Sequence, residues 1–478
     1  MKMLKHTPSM IRLSVCAFLT VVLSGLYAPS SAQRRYEELA LRNAQPEAYR
    51  EALILPDHRV HVVFRIPHAR LIFLRLRQPD QQLVFEASLD VTAAIYQHEQ
   101  RIAEHTWTGT KKVSTFEATQ DKTQDVTGSI PLRLDPGAYT LRLTVQDNHA
   151  QTSWSFPPTH LEISADTSLA PPFFVKPPSS TAYPLVLQPI NLSGRVPFGQ
   201  PAYAALWFTD PVERIIYRVE QLPARLPSRP APRSFRRRKQ QPPSPEHLYT
   251  NVPGTLVFQD TLTAASLIPF DTIQVSDTAV DVIIPPPASP SHTLALLNLR
   301  SETLDDGYYR LSIAVHEKTG RVRTIHHIFA THWRNMSLSL RDIDLAIENL
   351  RFLVDKKTLK ALKKGSREEK EARLRAFWKQ RDPTPDTPFN ELMAEYYRRI
   401  DYAAWTFRTG NAPVPNGLDT DRARIYIRYG APASMERTLK EKGSGVREIW
   451  RYPDGRTFIF EASTSLDPFV LVAIRENP

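Results

Sequence analysis

LDPGAYTLRLTVQD, residues 134–147, and LDDGYYRLSIAVHE, residues 304–317, are two versions of one pattern. Each opens with Leu-Asp, turns at a Gly, places a Tyr two residues on, and then alternates apolar and polar residues. Tyr139, Leu141, Leu143 and Val145 share one face of the first. Tyr309, Leu311, Ile313 and Val315 share one face of the second. Period-two alternation after a glycine turn predicts a half-buried strand. A Tyr entering a late strand from such a turn is similar to the corner of immunoglobulin-like sandwiches, where its hydroxyl ties back to the upstream backbone.

Other β-rich runs gather around these two. Val60 to Ile66 and Leu71 to Leu76 accompany the first; Ala204 to Phe208, Ile215 to Val219 and Val280 to Ile284 accompany the second. The repeat therefore predicts two all-β sandwiches, 50–165 and 181–335, after an N-terminal segment 33–49. A Pro-rich linker, 166–180, containing PPFFVKPPSS (171–180), separates them and reads as stiff and extended. Scarce Gly (16) and abundant Pro (41) suit strands and rigid loops better than a nucleotide-binding α/β fold.

The first 32 residues read as an export signal. Lys2, Lys5 and Arg12 precede an apolar run from Leu13 to Ala28, and Ser30-Ser31-Ala32 offers a cleavage site before Gln33. The run is shorter than the roughly 20 residues of a membrane span, and no later stretch is long and apolar enough for one. The single cysteine, Cys16, lies inside that run and not at its end, so it is no lipidation site. The mature chain then has no disulfide, no thiolate metal site and no cysteine nucleophile. Such a signal implies a periplasmic or extracellular destination in a Gram-negative-type bacterium.

The formal charge of +11 misleads unless it is located. Three positive charges fall in the signal. The segment 221–247, QLPARLPSRPAPRSFRRRKQQPPSPEH, has seven basic residues, one acid and seven prolines. Its prolines exclude a helix or a central strand, and it reads as a disordered insertion in the second sandwich. Its charge suits an anionic glycan, lipid headgroup or acidic protein. The remainder is nearly neutral, which argues against a nucleic-acid partner.

After Trp333 the period changes to that of helices. Ile343, Ala346, Ile347, Leu350 and Leu353 follow helical spacing, and Ser366 with Glu369 forms a capping box. Thr387 is expected to cap a further helix with Pro388 at its first position. Its apolar stripe is Phe389, Met393, Tyr396, Ile400, Ala403 and Phe407.

The stretch TDRARIYIRYGAP (420–432) admits a strand or a helix. A strand would put Ala423, Ile425, Ile427 and Tyr429 inward. A helix would be capped by Thr420 or Asp419 and stopped at Gly430, with Pro432 just beyond. Two strands follow, Arg447 to Tyr452 and Arg456 to Glu461, joined by Pro453-Asp454-Gly455, and a last one spans Phe469 to Ile474. The predicted architecture is thus two immunoglobulin-like sandwiches followed by a C-terminal α+β domain, helical plus αββ, over 340–478.

FWKQRDPTPDTPFNELMAEYYRRIDYAAWTF (377–407), GLDTDRARIYIRYGAP (417–432) and EIWRYPDGRTFIFE (448–461) carry a resemblance to the GWxTD-domain proteins, a family of exported bacterial proteins. The resemblance implies no particular reaction. The sequence departs from the name-giving motif: its Trp is Leu418 here, and a Gly-Pro-Pro becomes Gly430-Ala431-Pro432. Thr420, Asp421 and Arg422 are retained.

The chain offers no HExxH, no GxSxG elbow, no P-loop and no dinucleotide fingerprint. His98-Glu99 with His105 has the wrong spacing for a zinc protease. His326-His327 lies in a β-like run that would turn the two rings to opposite faces. No metal and no cofactor is expected. The acids Asp382, Asp386, Asp401, Asp419, Asp421, Glu436, Glu448 and Asp454 would serve a hydrolase of envelope polymer only if two stood about 5–9 Å apart. The candidate binding residues are Asp421, Arg422 and Arg424, an arginine fork for carboxylate or phosphate if exposed. Trp450 and Tyr452 join them as a stacking surface for sugar or peptide if open. The expected function is an exported interaction protein with the C-terminal domain as recognition module, meeting an envelope protein or an anionic glycan or peptide.

Overall fold

In the computed structural model both repeats form the same corner. The Tyr139 hydroxyl donates to the Asp135 carbonyl and the Tyr309 hydroxyl to the Asp305 carbonyl, each at 2.9 Å. The structure describes residues 47–78, 83–119, 121, 123–166, 168–223, 249, 252–276, 280–408, 417–439 and 445–476. The export signal, 33–46 and most of the basic insertion (224–247) lie outside the described residues.

The chain divides into an N-terminal unit, 45–335 with 384–389, and a C-terminal unit formed by 336–383 and 390–478. The first half of the N-terminal unit contains β1 (Tyr49–Ile54), β2 (Arg59–Pro67), β3 (Leu74–Arg77), β4 (Leu83–Gln97), β5 (Gln100–Val113), β6 (Asp125–Arg133), β7 (Gly137–Asp147), β8 (Thr152–Ser155) and β9 (Thr159–Ile163). Strands β1-β2-β6 make one antiparallel sheet. The other is built on β4 and β7, with β3 and β5 on β4, and β8 and β9 on β7. Val60, Val62 and Phe64 of β2 meet Leu89 and Val91 of β4 and Leu141 and Leu143 of β7, so the alternation written in the sequence becomes the core between sheets. Trp107 on β5 lies across Gly109 and Gly128, edge-on to Phe64.

The second half contains β10 (Phe173–Val175), β11 (Leu185–Leu187), β12 (Arg195–Pro197), β13 (Tyr203–Phe208), β14 (Val212–Gln221), β15 (Thr255–Thr263), β16 (Ile268–Phe270), β17 (Gln274–Val275), β18 (Val282–Ile284), β19 (His292–Asn298), β20 (Tyr308–Glu317) and β21 (Val322–His332). The sheet β12-β21-β20-β14-β15 packs on β10-β13-β19-β16, and β11-β18-β17 forms a third, small sheet. The Pro-rich stretch 171–180 carries β10 in its middle, fully buried and paired to β13. Its apolar Phe-Phe-Val outweighs the flanking prolines, so this part is sheet. Leu53, Leu55 and Val63 join Trp207, Leu294 and Phe270 in one apolar cluster, and the Trp207 indole donates to the Ile54 carbonyl at 3.2 Å.

The C-terminal unit begins with helix α1 (Ile343–Asn349), capped by the Asp342 carboxylate, followed by α2 (Lys356–Leu362). Helix α3 (Arg367–Lys379) starts with the Ser366–Glu369 capping box. Helix α4 (Glu391–Thr406) starts at Asn390 and not at Thr387. The Asn390 side chain accepts from the Met393 amide and donates to the Trp378 carbonyl, two bonds that fix the start, whereas the Thr387 hydroxyl donates to the Thr384 carbonyl. Phe389 is accordingly outside the helix and packs against Phe198 and Trp333 in the N-terminal unit. Tyr396 and Tyr397 on α4 donate to the carbonyls of Asn349 and Ala346 on α1.

Residues 421–429 are helix α5 (Asp421–Tyr429), capped by Thr420 and stopped by Gly430 at a φ of 80°. After it come β22 (Ser434–Leu439), β23 (Val446–Arg451), β24 (Arg456–Ala462) and β25 (Val470–Glu476), one antiparallel sheet in that order. The last strand lies where it is expected, as β25, and the sheet is larger than expected by one edge strand, β22. SMERTL, the sequence of β22, is exposed throughout and shows no apolar alternation from which to read a strand.

Candidate functional site

The retained motif residues sit where α4, α5 and the sheet meet. Gly417 is there because nothing larger fits. A Cβ on it would lie 2.3 Å from the Ala403 carbonyl oxygen at the end of α4. Leu418, at the position of the family's Trp, is buried in the core of the unit. The Thr420 hydroxyl accepts from the Ala423 amide and donates to the Gly417 carbonyl, joining the turn to the helix. One oxygen of Asp421 accepts from the Leu471 amide at 2.9 Å, tying α5 to β25, and the other meets Arg424 at 2.9 Å.

Arg422 turns inward. It is 6% exposed and lies over the Phe469 ring, 4.2 Å from its centroid. Its charge is met by Glu448 of β23, which is 0% exposed, at 3.5 Å. The same carboxylate accepts from the Trp450 indole at 2.7 Å and from Arg437 at 2.6 and 3.0 Å. Two cations and an indole around one buried anion make a closed set of charges, although the buried Arg422 Nε has no hydrogen-bond partner among the described residues. Burial pulls the Arg422 pKa down, while Glu448 pushes it back up.

The five candidate binding residues are thus brought together, with different roles. Trp450 is 1% exposed, packed between Phe407 and Phe460. Tyr452 is buried, and its hydroxyl donates to the Gly430 carbonyl. Neither ring offers a face to a ligand. Arg422 is inside the network just described. Only Arg424, held at Asp421, presents its guanidinium to solvent. Four of the other acids are likewise engaged: Asp401 accepts from the Leu338 amide, Asp419 meets Arg351, Glu436 meets Arg451, and Asp454 meets Arg456 across the turn.

In the N-terminal unit, His326 is bonded to the Ser312 hydroxyl while His327 packs edge-on to Phe174. Among the described residues, no group of three or more His, Cys, Asp or Glu is placed to hold a metal ion.

What faces outward in the C-terminal unit is the border of the sheet. On β25, Val470, Val472 and Ile474 are each over half exposed. The run Val470 to Ile474 contains no charge and no Pro, the usual protections of an open edge. The opposite edge, β22, exposes Met435 and Leu439 but inserts Glu436 and Arg437 between them. The sequence reading missed this surface because an edge is defined by which strand lies next to it. The unbroken apolar run FVLVAI (469–474) was its one local signal.

Residues 330–468 match the model of the GWxTD domain, so the C-terminal region is a GWxTD domain. A search of curated proteins found no match to the chain. Among solved structures, the chain is similar to the C-terminal domain of the Streptococcus pyogenes antigen I/II-family protein AspA. That similarity is at 9% identity and a TM-score of 0.16, over 60% of this chain and 99% of that one. It is also similar to the collagen-binding domain of the Erysipelothrix rhusiopathiae surface protein RspB, at 10% identity and a TM-score of 0.16, over 59% of this chain and 92% of that one. No helix among the described residues is long and apolar enough to cross a membrane.

Proposed function

We propose, from a GWxTD domain carried behind β-rich modules, that the chain is an exported interaction protein whose C-terminal domain is the recognition module. The recognising element is β25, and the partner is an envelope protein that lends an extended segment to its open edge. The observation that supports this reading is the exposed, uncharged stretch Val470 to Ile474 on a border strand of the sheet. Strand addition takes affinity from main-chain hydrogen bonds and specificity from alternate side chains. The charge-free edge of β25 suits that mode better than β22, where Glu436 and Arg437 interrupt it. The export signal read in residues 1–32 supports a periplasmic or extracellular setting. Hydrolysis of envelope polymer is less well supported, because Asp401, Asp419, Asp421, Glu436, Glu448 and Asp454 are held by arginines or backbone amides.

The test is photocrosslinking in cells with a reactive residue at position 472, and a control at position 438 on β22. The expected result is a discrete adduct from 472 that disappears when Val470→Lys is added, with the melting temperature unchanged. Equal adducts from both edges, or an adduct indifferent to Val470→Lys, would remove β25 from recognition.

A further inference from the structure

The helices α2 and α3 carry a charge that the sum over the chain conceals. Residues 356–379 contain ten basic residues against three acids. Outside the export signal and the basic insertion the chain is nearly neutral only because acids elsewhere offset these two helices.

Much of this charge is matched locally. Lys363 meets Glu348 and Lys370 meets Asp344, both on α1. Arg367 meets Glu371, and Arg373 donates to the Ala361 and Lys364 carbonyls, which joins α3 to the end of α2. Lys356, Lys357, Lys360 and Lys364 are different. All four are exposed, and none forms an ion pair among the described residues.

These lysines lie together. At 3.6 residues per turn, Lys356, Lys357, Lys360 and Lys363 fall within an arc of about 120° around α2. Lys364 stands just past the Lys363 cap, where its amide donates to the Ala361 carbonyl. The other side of α2 holds Leu362, which is buried, and Leu359, which packs on the core of the unit. The charged arc is therefore turned outward. Like charges four residues apart, as at 356, 360 and 364, weaken a helix, and a face built only for solubility would mix both signs. The one acid between Asn349 and Arg367 is Asp355, and its carboxylate is used as the cap of α2, accepting from the Thr358 amide.

We propose that the lysine face of α2 docks on an anionic phospholipid surface. A lysine is a compact point charge on a long flexible stem, without the fork with which arginine reads a single carboxylate or phosphate. Several such charges on a convex helix suit a plane of many headgroups better than one pocketed anion, and each basic residue near such a plane adds to the attraction. Leu353, 47% exposed and two residues before the Asp355 cap, sets an apolar side chain beside them. The face belongs to α2 and owes nothing to the open edge of β25.

The experiment is sedimentation of the mature chain, from Gln33 on, with vesicles of phosphatidylcholine alone or mixed with phosphatidylglycerol, at rising salt. Binding to the mixed vesicles only, weakened by salt, is expected. Lys356→Gln, Lys360→Gln and Lys364→Gln together should lower the partition coefficient at least about tenfold. The melting temperature should not fall, because the substitutions relieve repulsion. Arg236→Gln, Arg237→Gln and Arg238→Gln together remove the same charge from the basic insertion and should have a far smaller effect. An equal loss from the two triple variants would reduce the attraction to net charge and overturn the face. So would unchanged partition of the α2 variant, or no binding by the folded wild-type chain. Binding of soluble polyglutamate as tight as that of the vesicles would identify an acidic protein chain in place of lipid, and would overturn the proposal as well.

Discussion

Arg422 is drawn below the surface and Arg50 is half-buried, and the molecule treats the two arginines in different ways. Around Arg422 it supplies Glu448, shares that carboxylate with Arg437 and Trp450, and lays Phe469 against the guanidinium. Around Arg50 it supplies a carbonyl, an aromatic ring and an empty volume. In the first arrangement the charges are balanced within the chain, and the Arg422 Nε, like that of Arg50, has no hydrogen-bond partner among the described residues. In the second, burial lowers the arginine's pKa and no carboxylate offsets the shift.

That contrast breaks most readily at Glu448. Glu448→Ala leaves Arg422 buried without its anion and the Trp450 indole without its acceptor. Unfolding of the C-terminal unit in denaturant should be easier by about 3–5 kcal/mol. Loss of less than 1 kcal/mol would mean that the network relaxes into water and is not a closed set.

His327 shows a third outcome, a buried group that stays neutral. Its pKa is pushed down to about 4 from the ordinary imidazole range by burial. The unfolded chain therefore takes up a proton near pH 6.5 that the folded chain refuses until about pH 4. Stability of the N-terminal unit should fall as pH drops through that window, by at most a few kcal/mol because the residue retains some exposure. His327→Phe should flatten the slope in a pH series of melting curves, and an unchanged slope would assign the loss to another group.

Smaller effects follow at the helix start. Thr420→Ala removes the cap of α5 and should cost about 1 kcal/mol in the same denaturation assay. Arg424→Ala, at an exposed pair, should cost less than about 0.5 kcal/mol. If Arg424→Ala cost more than Thr420→Ala, the solvent-facing pair would be part of the closed network after all.

Legibility in the sequence followed locality. The two tyrosine corners were readable because turn, Tyr and alternation lie within fourteen residues of each other. The Ser366–Glu369 box was readable for the same reason, and Gly430 correctly favoured a helix over a strand in 420–432. Thr387 and Asn390 are both good caps, and the choice was made by Trp378, whose carbonyl only Asn390 reaches. The inward turn of Arg422 depends on Glu448, 26 positions along the chain, so its burial could not be read from neighbours. Trp450 and Tyr452 could form a surface only if their shared face were open, a pattern more often met in a core, and the helices laid over them close that face. That Arg50, Arg70 and Arg195 line one cavity could not be read from the sequence, because only the meeting of β1, the 3-10 turn His68–Arg70 and β12 brings them together.

The most direct test compares the two arginines in one assay: Arg422→Gln and Arg50→Gln, each unfolded in denaturant without added ligand, with the transition of each unit followed separately. Arg422→Gln should lower stability by at least about 2 kcal/mol, since it strips a partner from a fully buried carboxylate. Arg50→Gln should change stability by less than about 1 kcal/mol in either direction, since no carboxylate offsets the charge it removes. Equal losses from both would contradict this difference, by showing that Arg50 is as fully matched within the fold as Arg422.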